Sequence, residues 1–139
     1  MFQTKASILI IDDDRVLGGL IGLVMETHSY RSVVATTPSE GLEKAGRLKP
    51  NLILLDLALP QMSGLGVLRR LKSDPALSHI PVVVLTGNDD GEVESECLSL
   101  GAERFLSKGM DFNELIVELE RIGRRHHPRH QGASPSLRY

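Results

Sequence analysis

Two periodicities take turns along this chain. Residues 7–11 (SILII) form a short, unbroken apolar run, as expected of a strand buried on both faces. Residues 51–57 (NLILLDL) and 81–85 (PVVVL) read the same way, and 32–35 (SVVA) and 104–106 (RFL) are shorter versions. Segments of helical spacing lie between them. The first, 16–28, sets Val16, Leu20, Leu23 and Val24 on one face. It also contains Gly18, Gly19 and Gly22, each costing about 1 kcal/mol against alanine in a helix interior. Close packing against a sheet is the expected reason, with strand-edge irregularity as the alternative. Thr37-Pro38-Ser39-Glu40 opens the second helix, with Thr37 as N-cap and Pro38 at the first helical position. Residues 64–72 make the third, broken by Ser73-Asp74-Pro75. Residues 90–100 make the fourth, with Gly101 at C′. Residues 111–121 make the fifth, with Asp111 capping and Leu115, Leu119 and Ile122 facing inward.

Strands alternating with helices in this way predict an α/β fold: a doubly wound, five-stranded parallel sheet with five flanking helices. In such sheets ligands bind beyond the carboxyl ends of the strands. The length of 139 residues suits one domain, and a core of that size closes without a disulfide or structural metal. The single cysteine, Cys97, excludes an internal disulfide and reads as a small apolar residue on a helix. No apolar run is long enough to span a membrane, and residues 1–7 lack signal-peptide organisation, so a cytoplasmic protein without membrane contact is expected. The net charge of −2 is unevenly spread: residues 121–139 carry five arginines and no acid, leaving 11 bases against 18 acids in 1–120. An acidic body argues against nucleic-acid binding by the domain itself. From about residue 125 the composition turns to Pro, Gly, Ser, His and Arg, so 1–124 is expected as the domain and 125–139 as a basic linker or disordered tail.

Several strands end in polar residues that a buried strand would not otherwise carry. The first runs into Asp12-Asp13-Asp14, the third carries Asp56, the fourth ends at Thr86 and the fifth at Ser107-Lys108. Parallel strands bring these ends to one rim. Carboxylates crowded there repel, and without a counter-charge one of them takes up a proton. A hard divalent cation relieves the conflict, and Mg²⁺ binds through one or two carboxylates while keeping several waters. Carboxylates, Mg²⁺, a lysine and a hydroxyl describe a site for phosphoryl transfer by positioning and charge neutralisation, with Asp56 as nucleophile. Each residue alone has a blander reading: an Asp pair after a strand is usually a turn or cap, a Thr there is structural, a rim Lys is a solvated charge. Their joint occurrence at the strand ends of one alternating pattern changes the weighting.

The segments ILIIDDD at 8–14, LLDLALPQMSG at 54–64, VVVLTG at 82–87 and GAERFLSKG at 101–109 closely resemble the receiver domains of bacterial response regulators, over about residues 5–124. The most specific segment combines Asp56, Pro60 four residues on and Gly64 eight residues on. The resemblance implies a flavodoxin-like receiver fold and a phosphoacceptor switch of a two-component phosphorelay. Asp56 would take the phosphoryl group from a sensor histidine kinase or histidine phosphotransfer protein. Asp13 would hold Mg²⁺ directly, Asp12 through water, with Asp56 and the main-chain carbonyl of Ala58 completing the protein ligands. Thr86 and Lys108 would each engage a phosphoryl oxygen, and Phe105 would move inward with Thr86 as the switch aromatic. The face of the fourth helix, fifth strand and fifth helix would serve an output domain or a homodimer. On this reading the domain is no dedicated enzyme; it promotes its own phosphotransfer and dephosphorylation. Asp14 matches no functional position and reads as a helix N-cap.

The chain departs from that pattern after Lys108, where the family's proline, often preceded by a cis peptide bond, is replaced by Gly109. The loop loses rigidity there, which bears on how the lysine is aimed. Ala58 and Asn88, two residues beyond the acceptor and Thr86, offer no carboxylate to orient an attacking water. Two rival readings are weaker. A receiver-like interaction module that is never phosphorylated would be expected to lose Asp13, Asp56, Thr86 or Lys108, and none is lost. A phosphatase of the haloacid dehalogenase type would carry its nucleophile after the first strand, where Arg15 and Val16 follow the acids. The chain is compatible with a single-domain regulator or with the receiver part of a larger protein.

Overall fold

The apolar runs become strands and the segments between them become helices. In the computed structural model, which describes residues 6–59, 61–87 and 91–126, the order is β1 (Ala6–Ile11), α1 (Arg15–Glu26), β2 (Tyr30–Ala35), α2 (Pro38–Leu48), β3 (Leu52–Asp56), α3 (Gly64–Ser73), β4 (Val82–Thr86), α4 (Gly91–Ser99), β5 (Arg104–Ser107) and α5 (Phe112–His126). All strands are parallel in one sheet of order β2-β1-β3-β4-β5, the doubly wound architecture expected.

Strand alternation divides the core into two layers. Leu9, Ile11, Ile53, Leu55, Val82 and Val84 face one way and meet Ala45 of α2, Val67, Leu68 and Leu71 of α3 and Cys97 of α4. Ile8, Ile10, Leu52, Leu54, Val83 and Leu85 face the other way and meet Ile21 and Met25 of α1 and Leu115, Ile116, Leu119 and Ile122 of α5. Both faces are covered, which is why β1, β3 and β4 read as continuous apolar runs. Cys97 is buried and free, as its apolar reading implied. Among the described residues no helix is long and apolar enough to cross a membrane.

The helix ends carry the expected caps. Asp14 accepts from the backbone N–H groups of Val16 and Leu17, and Thr37 accepts from that of Glu40. The Asp111 carboxylate accepts from Glu114 N at 3.2 Å. Past α4, Gly101 adopts φ 109°; its N–H donates to Leu98 O, and Ala102 N–H donates to Cys97 O, the paired bonds of a Schellman ending. Asp90, the expected start of this helix, lies outside the described residues.

One expectation is corrected. The face of α1 that carries Val16, Leu20 and Leu23 points to solvent, with Val16 82% exposed and Leu23 64% exposed. The buried face is Gly18, Ile21, Gly22 and Met25. Two of the three glycines are explained by packing: a Cβ at Gly22 would lie 2.7 Å from Ser32 Oγ, and one at Gly18 would lie 3.3 Å from Val34 Cγ1. Gly19 faces open space. At the other end of the chain α5 runs through Arg125 and His126, whose side chains both pair with Glu103. The remainder of the expected tail, residues 127–139, lies outside the described residues.

Candidate functional site

β1, β3, β4 and β5 deliver their carboxyl ends to one rim. Asp12 follows β1 and is held there by its N–H donating to Ala35 O at 2.9 Å. Asp56 closes β3. Both are 2% exposed, whereas Asp13 is exposed. One carboxylate oxygen from each of Asp12, Asp13 and Asp56 falls within 4.8 Å of the others, a set that could hold a metal ion. All three donors are hard carboxylate oxygens, the chemistry a divalent cation such as Mg²⁺ takes.

Backbone N–H groups orient the two buried carboxylates. Asp12 Oδ1 accepts from Asp14 N at 2.9 Å, and Asp56 Oδ1 accepts from Ala58 N at 3.1 Å. Their remaining oxygens meet one cation. Lys108 Nζ lies 3.2 Å from Asp56 Oδ2 and 3.4 Å from Asp12 Oδ2. Because β4 lies between β5 and β3, the lysine crosses the end of β4 to reach them. Its backbone is pinned there, since Lys108 N donates to Thr86 O at 2.8 Å.

One lysine does not balance this rim. Burial pushes the Asp12 carboxyl up to about 6; the Asp14 N–H opposes this, the Asp56 charge adds to it and Lys108 opposes it. For Lys108, burial acts to lower the pKa, but Asp12 and Asp56 outweigh it and the net shift is upward. The site therefore holds a cationic lysine against an excess of acid, which leaves room for further positive charge.

The loop after β3 depends on Gly64. A Cβ there would lie 2.7 Å from Asp56 O, so the start of α3 can close on the end of β3 only without a side chain. Gly64 N donates to Leu57 O at 3.0 Å across the same approach. Pro60, between them, lies outside the described residues, as does Asn88. Ala58 is exposed on this loop. Thr86 is buried at the end of β4, one residue beyond Leu85, which pairs with Asp56. Phe105 pairs with Val84 and is half-buried against the α2–α3–α4 side of the core, on the face that alternation gives Thr86. The structure thus gathers Asp12, Asp13, Asp56 and Lys108 into direct proximity, with Thr86 at the adjacent strand end and Phe105 two residues deeper. The contact of Lys108 with Asp12 was not expected from the sequence. Among the described residues every peptide bond is trans, Lys108–Gly109 included.

A family model described as "Response regulator receiver domain" matches residues 8–120. The chain belongs to that family. It is a receiver domain of two-component signalling systems. The DNA-binding dual master transcriptional regulator RpaA of Synechocystis sp. is 34% identical over 85% of this chain and 49% of its own length. The receiver therefore spans about half the length of the curated transcriptional relatives it matches. Among solved structures, a CheY-like response regulator receiver domain protein from Methanospirillum hungatei superposes with a TM-score of 0.82 at 25% identity, covering 91% of this chain and 99% of the other. A response regulator protein from Burkholderia pseudomallei, with a phosphorylated aspartic acid, a calcium ion and citrate, superposes with a TM-score of 0.75 at 25% identity over 94% and 75%.

Proposed function

We propose that this receiver is a phosphorylation switch whose acceptor is Asp56. The observation that carries the proposal is the buried Asp56 carboxylate held by Lys108 Nζ at 3.2 Å within the three-acid cluster. A residue so placed has one oxygen toward the lysine and the other toward the Ala58 N–H, and the lysine ammonium, with three N–H donors and two carboxylate partners, can also engage a phosphoryl oxygen. The Burkholderia relative supports the reading, since it carries a phosphorylated aspartate and a divalent ion.

In the proposed step an Asp56 Oδ attacks the phosphorus of a phosphohistidine on a sensor kinase or phosphotransfer protein. The O–P bond forms as the N–P bond breaks, and the imidazole keeps the electron pair. Asp12, Asp13, Asp56 and the carbonyl of Ala58 are the residues that would hold Mg²⁺. Once bound, the ion supplies positive charge that offsets repulsion between the acids and the incoming phosphate. Lys108 keeps its charge near Asp56 and moves to a phosphoryl oxygen. The Thr86 hydroxyl takes another, and Phe105 follows it inward on the shared face, changing the α4–β5–α5 surface offered to an output domain or a second copy. The phosphodonor docks against the exposed Val16, Leu20 and Leu23 of α1, beside Asp13.

Incubation with acetyl phosphate and Mg²⁺, read by intact-protein mass spectrometry, is expected to add one phosphoryl group to the wild type and none to Asp56→Asn. Asp13→Ala or EDTA is expected to abolish labelling. Equal labelling of wild type and Asp56→Asn refutes the acceptor, and labelling that survives EDTA refutes the metal.

A further inference from the structure

Lys108 must cross the end of β4 to reach Asp56, yet the residue after it is glycine, which leaves the chain free to swing at the point where the lysine is aimed. The structure shows what takes up that freedom. Ser107 Oγ accepts from Gly109 N–H at 3.0 Å, and Ser107 O accepts from Met110 N–H at 3.2 Å. On the other side Lys108 N–H is bonded to Thr86 O. The peptide planes before and after Lys108 are therefore both tied down, one to β4 and one to Ser107.

We infer that Ser107 is a positioning residue for Lys108: its hydroxyl oxygen holds the Gly109 N–H and so directs the lysine onto Asp56 and Asp12. The inference rests on the function proposed above. Ser107 acts through the loop, by way of the Gly109 and Met110 N–H groups. The device requires a donor at residue 109, which every residue except proline supplies. It does not require glycine as such, because a Cβ at Gly109 would lie 3.5 Å from Ser107 Oγ, in ordinary contact. Serine at 107 and a residue with an N–H at 109 thus form a unit that fixes the lysine through a hydrogen bond rather than through ring rigidity.

The test uses the whole chain and two readouts. One is the rate of labelling by acetyl phosphate with Mg²⁺. The other, independent of phosphorylation, is the rate at which Lys108 is acetylated by an N-hydroxysuccinimide ester, followed by peptide mass spectrometry. Ser107→Ala is expected to slow labelling and to speed Lys108 acetylation, each by roughly threefold to tenfold, the range spanned by one ordinary hydrogen bond. Ser107→Thr, which keeps a hydroxyl, is expected to restore both. In a Gly109→Ala background the Ser107→Ala effect persists, since the N–H remains; in a Gly109→Pro background it vanishes, since no donor is left to lose. Unchanged readouts in Ser107→Ala, no rescue by threonine, or an equal effect in the proline background each overturn the inference. If the proline variant loses its circular-dichroism signature, the threonine rescue decides. Should the wild type fail to label at all, the proposed function fails, while the acetylation readout still reports whether Ser107 holds the lysine.

Discussion

The metal-free domain is expected to be more stable in mild acid than at neutral pH, and Asp12 is the reason. Its carboxyl is 2% exposed and titrates near 6 in the fold, against 3.8 when unperturbed, chiefly through burial, with Asp56 adding to it. The folded state keeps a proton that the unfolded chain releases. The stabilisation is therefore complete below pH 3.8 and is lost as the pH rises through 6. The full span is worth about 3 kcal/mol, of which about 1 kcal/mol falls between pH 5 and pH 7.5. Urea denaturation in EDTA, followed by far-ultraviolet circular dichroism at several pH values, measures it. Titrating groups away from the rim are shared with Asp12→Asn, so the difference between the two profiles reports this carboxyl together with its coupling to Asp56 and Lys108. The wild type is expected to lose about 1 kcal/mol more than the variant over that range. Added Mg²⁺ is expected to stabilise the wild type most at pH 7.5, where the acids are ionised. Parallel profiles for wild type and Asp12→Asn would refute the reasoning.

Three further outcomes follow from the packing and the proposed docking face. Gly123→Ala places a Cβ against Tyr30 Oη and is expected to cost roughly 1–3 kcal/mol in thermal melts, with partial recovery in a Tyr30→Phe background. Asp14→Ala removes the α1 cap and is expected to cost about 1 kcal/mol while leaving acetyl phosphate labelling intact, because the bond to Asp12 comes from the Asp14 backbone. Leu20→Glu on the exposed side of α1 is expected to slow transfer from a phosphorylated histidine phosphotransfer protein at least tenfold, without changing acetyl phosphate labelling; equal slowing of both donors would place the defect in the site instead.

The strands and caps were legible in the sequence because they obey local rules. An apolar run that ends in Asp56 or in Asp12-Asp13 is a mismatch between burial and charge, and that mismatch located the rim. Two things were not legible for physical reasons. Periodicity weighs hydrophobicity, and glycine has none to weigh; Leu20 and Leu23 therefore outvoted Gly18 and Gly22, although 18, 21, 22 and 25 form the true inward face. Likewise the pairing of Arg125 and His126 with Glu103, more than twenty residues away in sequence, is invisible to local composition. The double contact of Lys108 depends on strand order, which the sequence pattern leaves open: only with β4 between β5 and β3 does the lysine reach over one strand end to bridge Asp56 and Asp12.

The close seat of α1 has a consequence for how a partner would find the proposed acceptor. With Gly22 so near Ser32 and Gly18 against Val34, the helix rests on β2 almost backbone to sheet, and its axis can neither roll nor slide without lifting off. Val16, Leu20 and Leu23 therefore stand at a fixed bearing from the Asp12-Asp13 turn that immediately precedes the helix. Such a stripe works as a jig: a protein that grips it has its reactive group indexed to the rim by rigid geometry rather than by a search.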